Sequence, residues 1–128
     1  MPDPTFAAYL FSILIAFVVG FQLALALGAP WGELAMGGKF SGRLPPAMRI
    51  AALVQIVLLV FIALIVLTRA GVILGEFSSL SKSLIWAVVV FSLIGAILNT
   101  ITPSKKERML WAPVSLVLLI CATCVAVS

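Results

Sequence analysis

Four stretches of this chain, residues 6–27, 50–67, 84–101 and 109–127, contain no charged side chain and run for 22, 18, 18 and 19 residues. A helix rising 1.5 Å per residue crosses the hydrocarbon of a bilayer in about 17–25 residues. Each run therefore reads as a spanning helix, which places transmembrane segments at about 6–28, 49–68, 84–101 and 109–127. A membrane β-barrel would need apolar and polar positions to alternate over segments of about ten residues. Residues 56–62 read Ile-Val-Leu-Leu-Val-Phe-Ile and do not alternate. Helices also satisfy their backbone groups internally, as hydrocarbon demands. Only 9% of the residues are charged, against about 25% in soluble domains, which excludes a water-soluble fold. With two cysteines, a disulfide-stapled secreted module is excluded as well. The expected fold is all-α, one four-helix membrane bundle over residues 1–128 embedded in a lipid bilayer.

The first run resembles the apolar core of a signal peptide, and Ala24-Leu25-Ala26 has the small-x-small form of a cleavage site. The residues before it lack a basic cluster, however, and 22 residues exceed the 7–15 of such a core. It is expected to be a true span. Basic residues then set the orientation. Lys39, Arg43, Arg49, Lys105, Lys106 and Arg108 flank loops one and three, whereas Arg69 and Lys82 flank loop two. Six against two predicts loops one and three in the cytoplasm and both termini outside. The net charge of +4 is thus a topology signal, with attraction to anionic lipid as its companion, rather than a sign of nucleic-acid binding.

The two helical hairpins read as distant parallel copies. Gly20 precedes a run ending at Pro30, Gly95 one ending at Pro103, and Arg49 and Arg108 each stand before a return helix. Loop one, residues 29–48, differs from the other connections. Between Gly28 and Met48 it gathers five glycines, three prolines, Trp31, Met36, Phe40 and Leu44. Loops of that length are usually functional or disordered, and the apolar content points to a segment folded back on the cytoplasmic face.

Strong amides within the spans are confined to Gln22, Gln55 and Asn99. Counted from the helix ends, these three and Ser115 fall in one layer, roughly 3 to 9 Å below the cytoplasmic boundary. Two accounts of that layer remain open: hydrogen bonds between helices that hold the bundle in register, or a polar pocket facing inward under loop one. Ala8, Ser12, Ala16, Gly20, Ala24 and Gly28 place a small residue at every fourth position of the first helix. Such spacing allows close helix approach in lipid, and Ala16, Gly20 and Ala24 are expected at a packing face, within the bundle or against a second copy.

Loop one opens Gly28-Ala29-Pro30-Trp31-Gly32-Glu33 and continues to Gly37-Gly38. Pro30 ends the first helix, the glycines permit turns, and Trp31 suits the headgroup layer. Glu33 faces Arg49 and Arg108 as possible ion partners, and Trp111-Ala112-Pro113 marks the start of the fourth helix. These motifs, with Leu44-Pro45, Glu107-Arg108 and the Asn99 to Ser104 stretch, resemble an uncharacterised family of small bacterial four-span membrane proteins. The resemblance covers nearly the whole chain; it implies this fold and a bacterial inner membrane, and it carries no activity.

Enzymatic chemistry is poorly represented. The chain has no histidine and four carboxylates, so a metal site is not expected, and neither is a cofactor. No phosphate-binding glycine loop is present, and no span contains the carboxylate a proton-coupled antiporter needs. Cys121-Ala122-Thr123-Cys124 is a C-x-x-C pair near the outer end of the last helix, the one feature suggesting a membrane thiol oxidoreductase. No second pair and no neighbouring base accompany it, and buried cysteine is more often a small hydrophobe. The expected role is therefore binding or conduction of a small molecule at an inward-facing site, with Gln22, Gln55, Asn99, Ser115, Trp31, Glu33, Arg108 and Trp111 as candidate contacts. Gly28, Pro30, Gly32, Gly37, Gly38 and Pro113 would shape it. An accessory subunit that assembles as a homo-oligomer, or with another membrane protein, is the alternative.

Overall fold

The computed structural model describes residues 3–128; Met1 and Pro2 lie outside them. Four helices account for most of the chain: α1 (Pro4–Ala26), α2 (Pro46–Arg69), α3 (Ser78–Ile101) and α4 (Lys105–Ala126). All four are long and apolar enough to cross a membrane. The protein is an integral membrane four-helix bundle. Its short connections fold as 3₁₀ turns at Gly32–Leu34, Met36–Gly38 and Gly75–Phe77.

The helix starts follow from local chemistry. Asp3 caps α1 by accepting a hydrogen bond from the Thr5 amide, with Pro4 in the first turn, where a missing N–H costs nothing. Pro46 opens α2 in the same way. Ser104 caps α4 by accepting from the Glu107 amide. The α1 C-terminus is held by cations, as its dipole favours: Arg43 and Arg49 donate through Nε to the Gly28 and Ala26 carbonyls, each at 2.8 Å.

The helices extend past the uncharged runs. α3 begins at Ser78 rather than about 84, and α4 at Lys105 rather than about 109. An uncharged run measures hydrocarbon thickness, whereas a helix continues through the headgroup layer with Lys82, Lys105, Lys106 and Arg108 exposed. Pro113 consequently lies inside α4 instead of at its start, and leaves the Met109 carbonyl without its usual helical donor.

Adjacent helices pair as hairpins, α1 with α2 and α3 with α4; α4 also packs on α1, and the α2–α3 contact is the least extensive around the ring. The hairpins are not residue-for-residue copies. Gly20 faces outward, whereas Gly95 lines the interior. Arg49 binds the end of α1, while Arg108 is exposed on the surface.

The tightly packed core occupies one end, that of loop two. Ala7, Ala8, Phe11 and Ile15 of α1 meet Leu59, Ile62, Ile65 and Val66 of α2, Ile85 and Val88 of α3, and residues 121–126 of α4. Alanines 7, 8, 122 and 126 let the backbones approach there, which matters because lipid supplies no hydrophobic drive for helix association. Large side chains such as Phe17, Val57, Phe61, Val90 and Ile97 point outward, as suits a lipid solvent.

Cys121 and Cys124 belong to this core; both are free and buried. They pack as small apolar groups in the cluster that holds Ala7, Ala8 and Val125, 4% and 6% exposed. A maleimide should leave both thiols unlabelled in the folded protein and label both after denaturation. Rapid labelling of the folded protein would show that this end of the bundle opens.

Candidate functional site

The half of the bundle next to loop one is hollow. A cavity of about 380 Å³ lies between the four helices, with Phe11, Ile15, Leu59 and Ile62 as its floor on the packed core. That volume falls within the range of small-molecule sites, about 300–1,000 Å³. Its walls carry polar groups from every helix: Gln22 from α1, Gln55 from α2, Ser92 and Asn99 from α3, and Glu107 and Ser115 from α4. The helical period explains the convergence. Val18 and Gln22, Gln55 with Leu59 and Ile62, Ser92 with Gly95 and Asn99, and Glu107 with Trp111 and Ser115 each recur at three or four residues and so share one face.

No hydrogen bond within the described residues joins Gln22, Gln55 or Asn99 to another side chain or to the backbone of another helix. No polar side-chain atom is both sealed from the surface and unpaired. The amides are half-buried and present their donors and acceptors to the cavity. Interhelical bonding within the amide layer is therefore not what these groups do here. Ser115 is different, since its hydroxyl donates to the Trp111 carbonyl at 2.7 Å and its proton is taken up by its own helix.

Loop one roofs the cavity with Leu34, Ala35 and Met36. Two bonds from α4 hold this roof: Trp111 Nε1 donates to the Leu34 carbonyl at 2.8 Å, and the Gly37 amide donates to Glu107 Oε2 at 3.0 Å. Ser104 Oγ adds a bond to the Glu33 carbonyl. Within the loop, the Gly32 amide donates to the Gly42 carbonyl at 2.8 Å, and a Cβ at Gly32 would overlap the Phe40 carbonyl oxygen. Gly37 adopts φ +71, a left-handed geometry that turns its N–H toward Glu107. Trp111 is further held by Phe17 and Phe21, whose ring centroids lie 5.8 and 4.8 Å away.

Three expected contacts do not reach the cavity. Trp31 is exposed and stacks on Phe21 along the outer face of α1. Glu33 pairs with Lys106 at 2.9 Å, not with Arg49 or Arg108. Both partners are well exposed, so this pair contributes about 0–1 kcal/mol. Arg108 is exposed on α4. Trp31 and Glu33 lie on the rim because loop one folds over the bundle end with these side chains outward, and Arg108 because it projects from the exposed face of α4. Ala16, Gly20 and Ala24 likewise line an outward groove with Phe17, Phe21, Trp31 and Leu34, and a Cβ at Gly20 would meet nothing within 4 Å.

Glu107 and Ser92 are the cavity residues that the sequence reading passed over. The signal for Glu107 was present: Ser104-Lys105-Lys106-Glu107 has the form of a capping box. Ser104 plays its part, but the Glu107 carboxyl is diverted from its own helix to the Gly37 amide, where it becomes a buried acceptor at the cavity mouth. No family model, curated protein or solved structure matches this chain.

The roof bonds have a direct consequence. A buried hydrogen bond to a charged group contributes about 1.5–3 kcal/mol, more than the exposed Glu33–Lys106 pair. Glu107→Ala or Gly32→Ala should loosen loop one and speed tryptic cleavage after Lys39 and Arg43, while Glu33→Gln should leave it nearly unchanged. Equal protection in all three variants would show that the roof is held by other contacts.

Proposed function

We propose that this membrane protein binds a small molecule in the cavity beneath loop one. The observation that carries the proposal is the convergence of Gln22, Gln55 and Asn99 on one cavity with no hydrogen-bond partner among the described residues. An amide that bonded its neighbours would act as structural glue; three that face a shared space offer donors and acceptors to an occupant. Binding is favoured over conduction because the apolar core closes the cavity toward loop two. We further place loops one and three in the cytoplasm, on the six-to-two bias of basic residues. The resemblance to small bacterial four-span proteins supports an inner-membrane location.

Native mass spectrometry of gently extracted protein tests the proposal. A reproducible non-lipid mass should accompany the chain and be lost in Gln22→Leu or Asn99→Leu, with helicity and melting unchanged or improved. If the leucine variants retain the same mass, or lose it only by unfolding, the amide layer is not a binding site.

A second role is favoured by one observation, the outward groove along Ala16, Gly20 and Ala24, which no part of the described chain covers. Small residues at this spacing permit close helix approach, so the groove suits a second copy of the chain. Gly20→Ile should then reduce the protein to a monomer in the same spectrum, leaving the retained mass in place. An unchanged subunit count ends this role for the groove.

A further inference from the structure

The cavity holds one charged side chain. Glu107 is 6% exposed and lines the mouth, with Oε2 accepting from the Gly37 amide. Among the described residues the only ion pair is Glu33–Lys106, so no cation lies within 4 Å of the Glu107 carboxyl. The nearby basic groups are engaged elsewhere or exposed: Arg43 and Arg49 bond the end of α1, Lys106 holds Glu33, Lys39 is exposed over the Phe40 ring, and Lys105 and Arg108 face outward. A buried carboxylate without a countercharge is costly, which favours a cationic occupant beside it. The lining of the cavity also includes Phe21, Phe91 and Trp111, whose bulk accepts an apolar body.

The route follows from where the wall is thin. Loop one closes the axial mouth through the Trp111–Leu34 and Gly37–Glu107 bonds. The flank between α2 and α3 is less closed: their contact is the least extensive around the ring, and Ala51 both lines the cavity and is exposed. On the facing helix, a Cβ at Gly95 would meet nothing within 4 Å. Outward-facing residues of these two helices near that level, Val54 and Leu58 of α2 and Leu98 of α3, are apolar, as suits contact with lipid.

We infer that the cavity takes an amphipathic organic amine that reaches it from the bilayer between α2 and α3, its ammonium against Glu107 and its apolar chain among Phe21, Phe91 and Trp111. This rests on the cavity being a binding site, and the experiment separates the two.

Trp31→Phe/Trp86→Phe leaves Trp111 as the sole tryptophan, since the chain has three. The variant, in lipid nanodiscs, is titrated with a tail-brominated dodecyltrimethylammonium and with the matching brominated dodecanol. Quenching of lipid-facing Trp86, in a variant where it alone remains, calibrates the bilayer mole fraction of each probe. The ammonium should half-quench Trp111 at a bilayer mole fraction at least about tenfold lower than the alcohol, the effect of one charge-assisted contact. Glu107→Gln, which keeps an oxygen for the Gly37 amide, should make the two probes equal. Tetramethylammonium, which does not partition into the bilayer, should fail to displace the brominated amine at an equal concentration.

Equal quenching of the unmutated Glu107 protein by both probes overturns the inference and leaves the cavity as a site for uncharged molecules. Displacement by tetramethylammonium overturns the bilayer route. Quenching of Trp111 by neither probe beyond the Trp86 reference removes the binding site itself, and the inference with it.

Discussion

Hydrocarbon offers no hydrogen bonds, and the arrangement of this protein follows from that shortage. Every polar group within the bundle must find a partner in the chain or face a space that admits one. Most hydroxyls find partners locally: Ser12, Thr68, Thr100, Ser115 and Thr123 each donate to a carbonyl one turn back on their own helix, while Ser92 faces the cavity. Amides are too long and too well supplied with donors and acceptors to be silenced this way. Gln22, Gln55 and Asn99 are instead gathered at one level around a common cavity.

The gathering divides the bundle in two. Toward loop two, alanines and branched aliphatics pack the helices closely, and both cysteines disappear into that core. Toward loop one the helices enclose space, and the chain compensates with a roof. That roof depends on α4 more than on its own sequence neighbours. Trp111 and Glu107 reach across about seventy residues of chain to hold Leu34 and Gly37, and Gly32 lets the loop close on itself. The same carboxylate that fastens the roof is, among the described residues, the only charged side chain lining the cavity, so the closure of the cavity and its charge reside in one side chain.

Much of this was legible along the chain. The four spans, the amide layer and the unusual weight of loop one are visible because lipid punishes charge within about 17–25 residues of helix and because 1.5 Å per residue converts position into depth. Glu107 is legible in the sequence as part of a motif but not as a cavity residue, for a physical reason: along the chain it belongs to a charged turn, Lys105 to Arg108, and its helical face becomes visible only when α4 is known to begin at Lys105. Trp31, Glu33 and Arg108 lie near the rim in the sequence, but which way a loop side chain turns depends on the loop's backbone, and which face of α4 Arg108 takes depends on where that helix begins.

The sequence by itself determined that this chain crosses a bilayer four times and carries its strong amides at one depth, because apolar length and helical rise are properties of a single segment. Whether those amides bond one another or face a shared space is a matter of how four helices lean together. That was decided only by the tertiary structure, through the packed alanine-rich end, the sparse α2–α3 contact and the bonds from α4 to loop one.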